Sequence, residues 1–573
     1  MTQEIDIREF MDAPEMLDAG PALRAAIAAA RALEGPSRLT LAPGDYHLWP
    51  ETASKRELYV SNTVGTDPAY AMKSIGLLLE QVHDLEVVGQ GARLALHGHQ
   101  TALAIVDSTR VRLDGLTVDW AVPTVIDVTV ADAGVDAEGA WRLLTVPAAT
   151  LFEVEGADVV WLSERSPFTG ERYWSGRNAL AYAQRLDPST GRVERGPCPL
   201  FDDVTEVTRI DEHTIRIRHS STGPPDDRDT VYQLREIVRD HPGMLVLDSS
   251  DVELRRMCIH YLHGFGLVAQ TGENLLLDTV AFRAPEDSGR VTAGFADFVQ
   301  CSGMRGRIEI RGCTFDGPHD DPINVHGTYL AVAAVEGSHR LTLEYRHDQT
   351  AGFAPFSVGD GIELVDRGTL QPVHLGTIAG IVSGPSGRDT VSACAPIVVD
   401  VANALPDDVV AAAARGELAV ENTTRTPEVT ISDCAFVRSP TRAILVTTRR
   451  QVRIERCRFE TITMACIQIA ADARDWWESG PVRDVTIADN RFLGVTAGVL
   501  EVAPGTYEGA PPAHGTIRLE RNEIEADGPL LGEIRGVESL VLRGNRVHRL
   551  RPRRREHPAL DAPEDGFRQD PRS

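Results

Sequence analysis

The sequence predicts an all-β protein: a right-handed parallel β-helix with an N-terminal capping helix and two inserted small antiparallel β domains. Three observations indicate this fold: a strand pattern that recurs along the chain, a constant step between its copies, and two long interruptions of that step. The chain has 573 residues, 42% hydrophobic and 25% charged, as in a large globular protein. A β-helix suits this length because it grows along one axis.

The recurring pattern has two alternating apolar residues, two variable residues, a Cys or Asn, a variable residue and a final apolar residue. Such alternation is typical of short, half-buried strands. The Cys or Asn position predicts an internal stack of similar side chains, so Cys313, Cys434 and Cys457 are expected to be structural rather than reactive. The clear copies are IEIRGCTF at Ile308, VTISDCAF at Val429, VRIERCRF at Val452, VTIADNRF at Val485, IRLERNEI at Ile517 and LVLRGNRV at Leu540. Looser copies begin at Val111, Val252 and Leu275.

The step between copies is constant. The intervals 252–275, 429–452 and 517–540 each span 23 residues, and the intervals 275–308 and 452–485 span 33, one period plus a loop of about ten. A period near 23 with several short strands fits one coil of a parallel β-helix, each coil stacking ~4.8 Å from the next.

Two steps are much longer, 141 residues from Val111 to Val252 and 121 from Ile308 to Val429. Segments 121–240 and 328–422 are rich in short β-type runs, so they are predicted to be inserted β domains, the second barrel-like. The helix coils then occupy 1–120, 241–327 and 423–550. The polar segment 551–573, with its basic cluster RPRRRE at Arg551, is predicted to be a disordered tail.

The N-terminal segment GPALRAAIAAARALEG predicts an amphipathic helix, because Leu23, Ala26, Ile27, Ala30 and Leu33 fall on one face. A solenoid needs its first open edge covered, and this helix is the expected cap.

The net charge, the cysteine pattern and the N-terminal segment indicate which partners, metal sites and locations to expect. The net charge of −26 argues against nucleic acid or an anionic membrane, which bind through clustered basic residues. Eight scattered cysteines without a CxxC pair predict neither a disulfide framework nor a structural zinc site. The N-terminus has no apolar signal-peptide core, so the chain as written is expected to be cytoplasmic, or secreted if a signal peptide has been removed.

The run FDGPHDDPINVHG, residues 315–327, contains the main candidate site. Asp297 precedes Asp320 by 23 residues, and Asp321 and Arg442 are each thirteen residues after the start of a pattern copy. The period therefore predicts that Asp297, Asp320 or Asp321, and Arg442 form a column on three successive coils. Stacked carboxylates repel and raise a pKa, which favours a functional site. The alternatives are aspartates that bind backbone amides at turns, and a calcium site.

Further candidates are Asp472 and the run DWWESG, residues 475–480, which fall in a ten-residue excess over the period. Two tryptophans on an exposed loop beside carboxylates suggest a sugar site, although they could simply cover the solenoid. His326 is a candidate ligand or a hydrogen-bonded structural histidine.

Several stretches resemble glycoside hydrolase family 110. They are YVSNT at Tyr59, the run ending at Gly98, FDGPHDDPINVHGT, TRAILVTTRRQVRIE at Thr441 and WWESG at Trp476. The resemblance implies a β-helix exo-α-galactosidase that removes terminal α-1,3-linked galactose with inversion, without a metal or other cofactor. It implies that Asp297, Asp320 and Asp321 surround the scissile bond. The candidate sugar-binding residues are Asn324, His326, Arg442, Asp472, Trp477 and Glu478.

An inverting hydrolase needs a carboxylic acid and a carboxylate base about 6.5–9.5 Å apart, and both are expected among Asp297, Asp320 and Asp321, with Glu478 as the reserve acid. The expected partner is a galactose-terminated oligosaccharide or glycoconjugate, with a homodimer as a candidate assembly. Two alternatives remain open: a polysaccharide lyase or polygalacturonase-like enzyme on the same solenoid, and a non-catalytic glycan-binding solenoid.

Overall fold

Three long sheets, largely parallel, form the body of the protein in this computed structural model. The structure describes residues 2–12, 17–63, 67–223, 225–385 and 395–549, so the predicted tail 551–573 lies outside the described residues. Successive coils add neighbouring strands to the sheets, here named A, B and C, and strands adjacent in a sheet come from adjacent coils. The apolar faces of the three sheets meet in one continuous core. This is the architecture of a parallel β-helix.

The strand bounds are as follows, for the described ranges. Sheet A contains Gln3–Asp6, Ser37–Thr40, His83–Val88, Thr109–Asp114, Ser250–Arg255, Glu273–Asp278, Arg305–Arg311, Glu428–Ser432, Gln451–Glu455, Asp484–Ala488, His514–Glu520 and Val537–Arg543. Sheet B contains Gly44–Leu48, Ala92–Leu96, Thr117–Trp120, Cys258–Ile259, Ala281–Phe282, Thr314–Asp316, Ala435–Val437, Arg458–Glu460, Arg491–Val495, Glu523–Ala526 and Arg546–Arg549. Sheet C contains Ser54–Glu57, Met72–Glu80, Thr101–Val106, Met244–Leu247, Leu267–Gln270, Val299–Ser302, Ile323–Thr328, Ile444–Val446, Ile467–Ile469 and Leu500–Val502, with Glu478–Ser479 paired to its edge.

The predicted steps are register pairs in sheet A. The 23-residue steps pair Val252 with Leu275, Val429 with Val452 and Ile517 with Leu540. The 33-residue steps, and the long steps of 141 and 121 residues, also join the predicted partners. The periodic pattern therefore gave the stacking register of this sheet correctly, including across both interruptions.

The Cys or Asn position forms the predicted internal stack. The thiols of Cys313, Cys434 and Cys457 each donate to a backbone carbonyl of the preceding coil, at 3.6–3.7 Å. The amides of Asn490, Asn522 and Asn545 continue the stack, donating to the carbonyls of Ile454, Ile487 and Leu519 at 2.7–3.0 Å. The buried phenylalanines that follow this position stack on one another from coil to coil.

The two interruptions contain antiparallel structure. The first has a seven-stranded sheet and a three-stranded sheet, and the second has a closed barrel. In each insert the first strand pairs with the last, Ile126 opposite Leu234 and Leu330 opposite Val420. The strands of the seven-stranded sheet are Arg192–Arg195, Tyr182–Asp187, Val231–Arg235, Ile126–Asp136, Gly139–Thr145, Thr214–His219 and Val204–Arg209. Those of the three-stranded sheet are Leu151–Glu155, Asp158–Leu162 and Ser175–Arg177. Those of the barrel are Leu330–Glu336, Arg340–Glu344, Ile397–Val401, Pro372–Ser383, Gly361–Asp366 and Leu418–Asn422.

The N-terminal helix spans Gly20–Ala32 and contacts the first two strands of sheet A, the first of sheet B and the second of sheet C. Leu23, Ala26, Ile27 and Ala30 are buried against them, as the amphipathic pattern predicts. A second helix, Asp407–Ala414, packs on the barrel. Short 3₁₀ helices span Ile7–Phe10, Pro68–Tyr70, Pro199–Phe201, Glu286–Ser288 and Asp348–Thr350. Across the described ranges no helix is long and apolar enough to span a lipid bilayer.

Candidate active site

The predicted aspartate column exists, with one correction to its register. In sheet C, Val299 pairs with Ile323, an offset of 24, so Asp297 lies opposite Asp321. The predicted alignment of Asp297 with Asp320 is wrong by one residue. The reason is a β-bulge between Arg305 and Ile308, where Gly306 adopts a φ of 70° and adds one residue to the coil.

Arg442 lies in the predicted place on the next coil. Ile323 pairs with Ile444, which puts Arg442 opposite Asp321. The backbone N–H of Arg442 donates to Asp321 Oδ1 at 3.3 Å, and Arg442 Nη2 donates to Asp321 Oδ2 at 2.7 Å. Asp321 is therefore held by one residue through two bonds, one of which the stacking register itself supplies.

Asp320 is held by two arginines that the sequence pattern did not indicate. Arg195 Nη2 lies 3.0 Å from Asp320 Oδ1, and Arg239 Nη2 donates to Asp320 Oδ2 at 3.2 Å. Arg195 is in the edge strand Arg192–Arg195 of the first insert, and Arg239 follows the last strand of that sheet. The first insert thus reaches the column from the side.

The residues behind this pair are also buried and basic. The guanidinium of Arg235 lies 4.0 Å from the ring centre of Tyr182 and 4.7 Å from that of Phe295. Its Nε donates to His319 Nδ1 at 3.3 Å. Burial and the nearby arginines lower the pKa of His319 well below its usual value, so this ring is neutral and cannot add to the positive charge.

The three aspartates have different pKa shifts. Burial, then the charges of Asp320 and Asp321, raise the pKa of Asp297 well above its usual value. Burial raises the pKa of Asp321 to about 6 although Arg442 opposes the rise. Burial also disfavours ionisation of Asp320, but Arg195 and Arg239 outweigh it and lower the pKa of that carboxyl. The site therefore places a carboxyl group of raised pKa beside one of lowered pKa, and acid–base catalysis uses such a difference.

Glu478 lies beside the column, in the short strand Glu478–Ser479 that pairs with Gly327 and Thr328. Asn324 Nδ2 donates to Glu478 Oε1 at 3.4 Å. His326 Nδ1 donates to the carbonyl of Gly327 at 2.7 Å, which leaves Nε2 to accept from Gln300 at 2.9 Å. Asn324 and Glu478 thus lie together beside the column, and their role in sugar binding stays a prediction. His326 is a buried histidine with a hydrogen bond at each ring nitrogen.

Asp472 and Trp477 are not placed as the sequence suggested. The carboxylate of Asp472 accepts backbone N–H groups from residues 474–477, so it organises the loop. Trp477 is 2% exposed and packs in a buried cluster with Tyr329 and Ala473, under the guanidinium of Arg367. The expectation of two exposed tryptophans is wrong for Trp477, because the barrel covers it. Trp476 is exposed.

In the described ranges one group of side chains could bind a metal ion, and it includes none of the three aspartates. His99, Asp240 and His263 bring three ligand atoms within 4.8 Å of one another. The carboxylate of Asp240 bonds His99 Nδ1 at 3.0 Å and His263 Nε2 at 2.8 Å. These contacts join the three side chains, and His99 Nε2 is a buried nitrogen without a hydrogen-bond partner in the described ranges.

Proteins similar to this chain carry the name alpha-1,3-galactosidase A. The protein from Peterkaempfera griseoplana is 43% identical over 558 residues, 95% of this chain and 76% of its own. The protein from Streptomyces avermitilis is 42% identical over 565 residues, 98% of this chain and 89% of its own. The protein from Bacteroides thetaiotaomicron is 31% identical over 520 residues, 90% of this chain and 86% of its own. No family model matches the sequence.

Proposed function

The chain belongs to the α-1,3-galactosidases, glycoside hydrolase family 110, and we propose that it removes terminal α-1,3-linked galactose from glycans with inversion. The observation that carries the proposal is the cluster of Asp297, Asp320 and Asp321 on two neighbouring coils. Burial and the neighbouring carboxylates raise the pKa of Asp297, whereas Arg195 and Arg239 lower that of Asp320. A galactose-terminated oligosaccharide or glycoconjugate is the substrate.

We assign the acid and base from their surroundings. Asp297 donates its proton to the glycosidic oxygen as the bond from that oxygen to the anomeric carbon breaks. Asp321 accepts a proton from the water whose oxygen bonds the anomeric carbon on the opposite face. One water is consumed, and Asp321 returns its proton to solvent while Asp297 regains one. Asp321 suits the base because its pKa of about 6 makes it more basic than Asp320.

The remaining groups hold the sugar and set the charges. Burial is the main cause of the raised pKa of Asp297, and the negative charge of Asp320, fixed by Arg195 and Arg239, adds to it. Asn324 and Glu478 offer an amide and a carboxylate for galactose hydroxyls. Pockets that recognise sugars combine such polar groups with a largely preformed shape.

The reaction is tested by proton NMR of the protein mixed with Galα1-3Gal, with EDTA present in a parallel sample. We expect free galactose to appear first as the β-anomer, at the same rate in both samples. Release of α-galactose first would show retention and refute the roles of Asp297 and Asp321. Binding of the disaccharide without release would identify a glycan-binding protein instead.

The two roles are separated by Asp297→Asn and Asp321→Asn. Each variant should lose about 10²–10⁴-fold in turnover of Galα1-3Gal. α-Galactosyl fluoride needs little acid assistance, so it should restore turnover to the Asp297 variant and not to the Asp321 variant. Azide should restore only the Asp321 variant, forming β-galactosyl azide. The reverse pattern would exchange the two roles.

Finer features of the fold belong to the same proposal. We propose that the β-helix is right-handed, that the helix Gly20–Ala32 caps its first coil, and that the two inserts are separate small domains. The buried face of that helix against the first strands supports the cap. Its removal should expose an apolar edge and cause aggregation, measurable by light scattering.

A further inference from the structure

Trp476 and His347 form a stacked aromatic pair at the protein surface. Their ring centres are 4.5 Å apart and their planes differ by 29°. Trp476 is 47% exposed, which is the exposure expected when one face of an indole is covered and the other is open. His347 belongs to the second insert and Trp476 to a loop between coils, so the pair joins two parts of the chain. We call this pair the aromatic platform.

The platform is linked on both sides to the candidate active site. On one side, Glu478 follows Trp476 by two residues and accepts from Asn324. On the other, the carbonyl of Gln349, two residues after His347, accepts from the N–H of Asn62 at 2.6 Å.

That second side continues to the catalytic carboxylates. The carbonyl of Asn62 accepts from Arg239 Nη1 at 3.5 Å, and the same arginine holds Asp320. The charges of Glu478 and Arg239 both reach the His347 ring. The platform is therefore joined by short contacts to Arg239, which holds Asp320, and it lies near Glu478.

The loop that carries Trp476 is rigid by construction. The Asp472 carboxylate accepts the backbone N–H of Trp476 and of three neighbours, and the buried Trp477 anchors the next position. A preformed aromatic surface loses little entropy when a ligand stacks on it. The open face beside exposed charged residues, Asp348 and Asp475, suits a ring with an apolar face and polar edges.

We propose that the aromatic platform binds the sugar to which the terminal galactose is attached, by stacking Trp476 on the C–H face of that pyranose. This inference rests on the proposed function and deepens it: galactosides whose leaving group is a second sugar ring are preferred. Free α-galactosides with a small leaving group would not reach the platform.

The experiment compares Trp476→Ala with the wild type on two substrates. For Galα1-3Gal, loss of one stacking contact should lower kcat/KM by roughly fivefold to tenfold, mainly through KM. For α-galactosyl fluoride, which has no second sugar, kcat/KM should change by less than about twofold. Trp476→Phe should retain most of the disaccharide activity. Thermal melting shows whether each variant is folded.

Phe168→Ala is the matched control, because Phe168 is 46% exposed on a loop of the first insert, outside the contacts that define the platform. It should leave both substrates unchanged. Equal losses on both substrates in Trp476→Ala, or no loss on the disaccharide, would overturn the platform while the galactosidase function stands. If the wild type hydrolyses neither substrate, the proposed function fails and the platform falls with it.

Discussion

Asp297, Asp320 and Asp321 lie on two neighbouring coils, yet each meets different charges. Asp320 faces two arginines from the first insert, and Asp321 faces Arg442 from the following coil. No arginine bonds Asp297 in the described ranges, and the charges of Arg239 and Arg442 lower its pKa by less than burial raises it. The spread of pKa directions follows from which side chains can reach each carboxyl rather than from the backbone positions, which are nearly equivalent.

Arg442 should control the acidic limb of the pH profile. It is the largest influence lowering the pKa of Asp321 against burial, so Arg442→Met should raise that pKa. A higher pKa requires a higher pH to form the carboxylate base. The pKa of about 6 for Asp321 predicts a rising limb of kcat/KM near that pH in the wild type. In Arg442→Met the limb should move upward by roughly one unit. Rates with α-galactosyl fluoride across pH measure the limb.

The control is Arg456→Met, which removes an exposed arginine paired with Asp433 on the outer surface. Its profile should match the wild type. A limb that stays in place in Arg442→Met would mean that Asp321 is not the base.

Residue-level prediction from the sequence succeeded where the period applied. Arg442 could be placed because it occupies the same position in its coil as Asp321. Arg195 and Arg239 could not, because contacts between an insert and the coils follow no repeat. The predicted exposure of Trp477 is wrong because burial depends on which part of the fold covers a side chain. Here the barrel covers it, and the adjacent residues in the sequence do not indicate that contact.

At the scale of single elements, the stacked asparagines link coils by side-chain bonds. Asn522 donates to the carbonyl of Ile487 and to Asn545 Oδ1, and its own Oδ1 accepts the N–H of Asn490. These groups are buried, so each lost bond leaves a polar partner unsatisfied. The stacked asparagines therefore fix the register of the C-terminal coils.

Asn522→Ala should destabilise the protein by about 1–3 kcal/mol, because it leaves buried partners without bonds. Urea unfolding followed by circular dichroism measures the loss. Gln451→Ala, on an exposed strand position, should stay within about 0.5 kcal/mol of the wild type. Similar midpoint urea concentrations for the two variants would show that the asparagine stack adds nothing to stability.

The bulge at Gly306 could not be predicted from the amino-acid pattern. Strand positions followed from apolar alternation, and sheet A matched the 23-residue count. One extra residue in a strand alters neither the apolar alternation nor the residue composition. The interval of 23 residues between Asp297 and Asp320 therefore equals the period although the two residues are not paired. The structure shows that a single bulged residue decides which aspartate faces Asp297.

For the whole molecule, the burial of Asp297 lowers the free energy of unfolding at pH values where an unfolded aspartate is ionised. The pKa of Asp297 is raised in the folded protein, so above the unfolded pKa the unfolded chain releases a proton that the folded chain keeps. Folding therefore becomes less favourable as pH rises from about 4, by up to ~1.4 kcal/mol per pH unit until the folded pKa is reached.

Asp297→Asn should consequently raise the free energy of unfolding, by on the order of 1–3 kcal/mol at about pH 7 and by little at about pH 4. Urea titrations at both pH values measure the difference.

Asp433→Asn is the opposite control. The hydrogen bond from Arg456 lowers the pKa of Asp433, so its stabilising contribution is present above the unfolded pKa and lost in acid. That variant should be slightly less stable at neutral pH, since the pair is exposed. An Asp297 variant that is less stable than the wild type at both pH values would contradict the raised pKa.

Both inserts pair their first strand with their last. A flexible loop of about a hundred residues costs on the order of 4 kcal/mol in closure entropy, and one of about ten residues about 2 kcal/mol. In a folded barrel the first and last strands are already paired, so the two ends of the insert lie close together. The coils on either side then need to close only a short loop. The coil that brings Arg442 to Asp321 can then close at nearly the entropy of an ordinary turn. Folding of the barrel should therefore precede completion of the aspartate column, although the barrel supplies none of the three aspartates.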